Sequence, residues 1–331
     1  MSMVLRFQSV AFSLALAALA LPFCSWAKAK NDLRNLSPAE LVRQAIKNEI
    51  AANADSGRHF MFKDQKKTTH LTQVKLLVET KDATAGMLIA EDGHPLNPQQ
   101  REQEEARLAN YVRNPEELNK KRKQEKEDAE HSQRILRALP EAFLYEPDGT
   151  EKGTDMVGHA GDELVRLKFR PNPDYNPPSR VEQVLTGMAG HLLIDATEQR
   201  LAEIDATLQK DVSFGWGILG HLDRGGRFLV QQADVGDHQW EVTRMELLFS
   251  GKILFVKRLN IRSSDIFSDF HSVPSDLTFA QGVELLRKEA TQADAGTAQK
   301  PPRTAKGQVI REPKDGPKTE AERDRQPCCD R

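Results

Sequence analysis

The chain has 331 residues, 38% of them apolar and 29% charged, with a formal net charge of −2. That length can bury a sizeable core, while the polar balance leaves room for solvated helices and tails beside it. The charge balance supplies none of the basic surface that nucleic-acid binding needs, so nucleic acid is excluded as a partner.

The N-terminus carries an export pattern. Arg6 forms a short basic region, Val10–Phe23 is apolar and rich in Ala and Leu, and Ser25-Trp26-Ala27 or Ala27-Lys28-Ala29 offers small residues at the −3 and −1 positions of a cleavage site. This arrangement predicts a signal peptide over residues 1–29. The run is shorter than the ~20 residues of a bilayer span, so no integral membrane segment is expected after cleavage; a retained signal would act as an anchor. Cys24 follows Phe23, where lipoprotein processing wants a small residue, so lipidation is disfavoured. The expected location is periplasmic or secreted. Cleavage would leave Cys328 and Cys329 as the only cysteines, so no disulfide framework holds the core.

In chain order, Ser37-Pro38-Ala39-Glu40 opens a helix with a capping box, and Leu41, Val42, Ala45, Ile46 and Ile50 form its apolar stripe to about Asp55. His59–Lys63 reads as a short strand, and Leu71–Lys81 with Thr84–Glu91 as a hairpin around Asp82-Ala83. Asn97-Pro98 and Asn114-Pro115 each pair an Asn cap with a first-turn proline. They predict two polar helices, 98–112 and 115–138, which together form an insertion. Asn119–Arg134 has no large apolar residue, which suits a solvated face better than a docking one. Leu139-Pro140 is expected to break the second helix, and Pro147-Asp148-Gly149 to reverse the chain. Glu163–Arg170 alternates with Val165, Leu167 and Phe169 on one face.

Residues 186–262 then read as a β-meander. Strands are expected over Met188–Asp195, Arg200–Leu208, Arg227–Val235, Gln239–Phe249 and Lys252–Arg262, with Ser250-Gly251 as the last tight turn. Leu201, Ile204 and Leu208 also fit a helix, but the alternation through Ala202, Ile204, Ala206 and Leu208 favours strand. Thr278–Glu289 reads as a closing helix, and residues 294–331 as a disordered tail. The domain organisation is therefore a signal, one α+β domain over 30–293, and the tail.

No motif announces catalysis. Gly215-Trp216-Gly217-Ile218-Leu219-Gly220 matches a dinucleotide fingerprint, but turn residues follow where a helix must open, so the glycines read as bends in a sheet. His191, His221 and His238 lie near Asp195, Asp223 and Asp237 without metal-site spacing. Neither a cofactor nor a metal is expected, and no catalytic residue can be named. The aromatics Phe214, Trp216, Phe228, Trp240, Phe249 and Phe255 all fall in the meander. They form either a packed core or the wall of a ligand cavity, since periodicity is the same for both.

The segment Gly190–Ile204, GHLLIDATEQRLAEI, followed by the Trp240–Ile261 hairpin, resembles the periplasmic lipoprotein-carrier group, LolA-like, and the related RseB-like domains. The resemblance implies a strongly curved antiparallel half-barrel around helices, with an apolar face that holds a lipid or acylated ligand, and no enzymatic activity. The alternative expectation is an envelope structural or interaction protein that binds a protein partner through the 98–138 helices or the tail.

Overall fold

The computed structural model describes residues 36–54, 57–214, 220–253 and 257–298. The chain is α+β. Among the described residues, thirteen antiparallel strands form one sheet, and five α-helices accompany it. The helices are α1 (Pro38–Ala54), α2 (Pro98–Arg113), α3 (Pro115–Ala142), α4 (Arg180–Gln183) and α5 (Phe279–Ala298). The strands are β1 (His59–Thr68), β2 (Thr72–Val78), β3 (Ala85–Glu91), β4 (His94–Pro95), β5 (Phe143–Lys152), β6 (Glu163–Pro171) and β7 (Met188–Asp195). They continue as β8 (Leu201–Leu208), β9 (Val212–Phe214), β10 (Gly220–Leu222), β11 (Arg227–Asp234), β12 (Trp240–Ile253) and β13 (Lys257–Val273).

The main path runs β4-β3-β2-β1-β13-β12-β11-β8-β7-β6-β5; off it, β10 pairs with β12 and β9 pairs with β10. The sheet is not closed into a barrel, and β4 and β5 are its edges. All thirteen strands belong to one compact unit, Met1–Ala290; the second, Thr291–Arg331, takes in the end of α5. The expected signal peptide and nearly all of the expected tail lie outside the described residues, within which no helix is long and apolar enough to cross a membrane.

Helix starts follow their local chemistry. Ser37 Oγ accepts from the Glu40 amide at 3.3 Å, and the Glu40 carboxylate accepts from the Ser37 amide at 2.9 Å. Asn97 and Gln100 make the same reciprocal pair at the head of α2. Asn114 Oδ1 accepts from Glu116 and Glu117 at the head of α3. The Asn119–Arg134 stretch of α3 is mostly exposed, and the pairs Lys121–Glu125 and Lys123–Glu127 engage its charges.

Three turn expectations are corrected. Pro140 lies inside α3, which runs on to Ala142. Proline removes only its own donor near the helix end, while Leu139 and Ala142 are buried in the core and Tyr145 Oη donates to the Leu139 carbonyl at 2.7 Å. Pro147-Asp148-Gly149 does not reverse the chain but forms an irregularity within β5, whose pairing with β6 resumes at Thr150↔Val165. Ser250-Gly251 is no turn either: Ser250 pairs with Asn260 and Gly251 with Leu259, and the connection lies at 254–256, outside the described residues. The glycine serves close approach instead, because a Cβ on Gly251 would meet the His221 carbonyl of β10 at 2.1 Å.

Alternation divides the core between the two faces of the sheet. Leu192, Ile204, Val230 and Met245 are linked pair by pair through β7, β8, β11 and β12, and Met245 leads on to Asp265 and Lys66. On this face α1 and the end of α3 cover β5–β8, in the largest apolar cluster. Lys66 and Asp64 share it, so Leu76, which is opposite Lys63, and Val78 point the other way. There they meet Leu108 of α2 and Phe279, Val283 and Leu286 of α5 in a second cluster. Helix α3 reaches both, through Leu118 near its start and Leu139 near its end.

Arg200 anchors α1 to the sheet. Its guanidinium donates to both Glu49 oxygens at 2.7 and 3.0 Å, and the Leu201 amide donates to the same carboxylate at 2.9 Å. Glu49 is buried, so removing Arg200 would leave its charge without compensation. Arg200→Ala is expected to destabilise the fold by about 3–5 kcal/mol, read from urea unfolding. A loss within the ~0–1 kcal/mol of an exposed pair would mean that the anchor carries no weight.

Candidate ligand cavity

The site grows from one row of residues across the sheet. Phe169 of β6 is opposite Gly190 of β7, Gly190 is opposite Ala206 of β8, and Ala206 is opposite Phe228 of β11. Two small residues thus lie between two phenylalanines, leaving a trough in the middle of the face. Gly190 cannot be enlarged: a Cβ there would stand 1.9 Å from the Asp205 carbonyl. Above the trough lie Ile135 and Leu139 of α3 and residues Arg180, Val181, Val184 and Leu185, from α4 and the tight 3-10 turn Val184–Gly187.

These walls enclose a cavity of ≈ 290 Å³. Phe143, Tyr145 and Phe169 close one end, with Phe143 and Phe169 centroids 4.6 Å apart. Phe214, Leu222, Phe228 and Phe249 close the other. Only two described lining side chains are polar, Tyr145 and Arg180. The Tyr145 hydroxyl is spent on the Leu139 carbonyl, and burial, then the nearby Glu141 charge, pushes its pKa up. An apolar chamber with so few polar groups suits binding rather than acid–base chemistry.

Of the aromatics singled out from the sequence, Phe214, Phe228 and Phe249 line this cavity. Trp240 does not. It packs with Leu164, Leu193 and Ala202 in a third cluster and carries the Arg200 guanidinium over its ring at 5.4 Å. Trp216 and Phe255 fall outside the described residues. The sequence reading missed Phe143, Tyr145 and Phe169, which precede the meander, and the helical lid. The alternation Val165-Leu167-Phe169 was the available signal.

Other chemistry is dispersed. Gly220 opens strand β10, not a helix, so the glycine-rich run lacks the helix N-terminus that a dinucleotide requires. His191 pairs with Glu203 at 3.0 Å, His221 with Asp223 at 3.1 Å and His238 with Glu198 at 2.9 Å, each at a separate place. Among the described residues no three donors are placed to hold a metal ion. The face of the sheet turned away from the cavity is laced with charges, Arg227 bridging Asp205 and Glu246 at 2.8 and 3.1 Å. Comparison with known families, curated proteins and solved structures gave no match to this chain.

Outside the cavity, the half-buried Glu241 carboxylate is strongly perturbed. Burial, then the Glu79 carboxylate, lifts the Glu241 pKa to about 7, against the pull of Arg200. The folded protein therefore holds a proton that the unfolded chain releases near the ordinary 4.5. Stability contributed here is present below that value and is lost as pH rises through the folded pKa of about 7. Glu241→Gln is expected to raise the Tm by several degrees at pH ~8 and by almost nothing at pH ~4, since ~1 kcal/mol corresponds to ~2–4 °C in a domain of this size. An equal gain at both pH values in calorimetry would refute this linkage.

Proposed function

We propose that this is an exported, non-enzymatic protein that binds a lipid or other elongated hydrophobic ligand in the cavity between α3, α4 and the sheet, as a carrier or sensor. The observation that carries this reading is the Gly190–Ala206 trough between aromatic walls, an apolar chamber beneath a helical lid. Export rests on the signal-like N-terminus, and the resemblance to lipoprotein carriers points to the same class of ligand. Each methylene moved from water into such a chamber contributes about 0.8 kcal/mol, enough for an alkyl chain to be held by burial alone.

Ala206 offers the cleanest test, because its methyl faces the cavity at the centre of the trough. Ala206→Phe is expected to fill that space and weaken binding of a fluorescent alkyl probe at least tenfold, with far-UV circular dichroism unchanged. Wild-type protein extracted into organic solvent should release a lipid detectable by mass spectrometry. A clean extract together with no probe binding by the wild type would rule the reading out.

A further inference from the structure

The cavity has one charged lining residue among those described, Arg180, the first residue of α4. Arg180 is exposed and also lines the chamber, which places the residue at its mouth. Nearby Glu182 is buried and accepts from Ser179 Oγ. No carboxylate is among the described lining residues. Arg180 forms no side-chain hydrogen bond or ion pair with any described residue. Its five donors are therefore directed at nothing the described protein supplies.

Resting on the cavity reading above, we propose that the ligand is a single-chain amphiphile with an anionic head group. Its alkyl chain occupies the trough, and its carboxylate or phosphate is held by Arg180. A guanidinium pairs with either anion through two parallel hydrogen bonds, whereas a neutral head leaves it unused and a cationic head is repelled. The chamber of ≈ 290 Å³ lies at the small end of ligand sites, which run from ~300 to ~1,000 Å³. It accommodates one chain rather than the two or three of a diacyl lipid or a lipoprotein anchor.

The test is isothermal titration of the full chain with dodecanoate, dodecyl phosphate, dodecanol and dodecyltrimethylammonium. Wild type is expected to bind the two anions about tenfold or more tighter than the alcohol, the scale of a charge-assisted pair, and the cation most weakly. Arg180→Ala should bring the anions down to the level of dodecanol without changing the alcohol, while Arg180→Lys keeps part of the preference. The exposed position makes both substitutions compatible with folding. The tighter anion distinguishes a fatty-acid source from a phosphate-headed one, and either ranking supports the proposal. Equal affinities for all ligands in wild type, or an anion preference that survives Arg180→Ala, would overturn the head-group assignment and leave the cavity reading standing. No binding of any ligand would remove both.

Discussion

The architecture depends on the pairing of β13. Its first half, from Lys257 to Ile266, is hydrogen-bonded to β12, and its second half, from Ser263 to Val273, to β1. Among the described residues this strand is the only link in the sheet between β1–β4 and β5–β12. Side chains alternate from face to face with a period of two, so a one-residue slip in either ladder would exchange the buried and solvated faces of half the sheet. The two apolar clusters lie on opposite faces, so they tolerate no such slip. The irregularity opposite Met61 and Lys63, where Asp269 takes φ 57°, is absorbed within the register.

Within that frame the cavity arises from what is missing. Gly190 is small because β8 approaches it closely, Ala206 faces the open space beside it, and Phe169 and Phe228 flank the gap. Directly behind the trough the other face carries charges: Arg227 bridges Asp205 and Glu246, and His191 pairs with Glu203. Helix α3 serves both ends of the molecule, its polar middle solvated and its last turns forming the lid. The same helix thus explains why a run without large apolar residues is nevertheless ordered.

Local chemistry was the most legible part. The caps at Ser37, Asn97 and Asn114 and the alternation of Glu163–Arg170 and Arg200–Leu208 depend on neighbours a few residues away, and the structure places elements accordingly. Pro140, Pro147-Asp148-Gly149 and Ser250-Gly251 have equally strong local signals, yet each was overruled by a partner distant in sequence. The core burial of Leu139 and Ala142 carries α3 past its proline, β6 continues to pair with β5 beyond Gly149, and β10 presses on Gly251. The aromatics divide in the same way. Phe214, Phe228 and Phe249 share a chamber with Phe143 and Phe169, while Trp240 joins a different cluster, a distinction that no spacing rule contains.

The amino-acid sequence by itself determined the class, an antiparallel α+β chain with capped helices, because capping, alternation and turn residues act over a few positions. Only the tertiary structure decided which faces are buried, where the small residues of β7 and β8 coincide, and that Arg180 stands beside them. Those facts depend on strand order and register, which bring together Phe143, Arg180, Ala206 and Phe249 from four separate parts of the chain. The contacts are long-range, and a sequence lists residues without their partners.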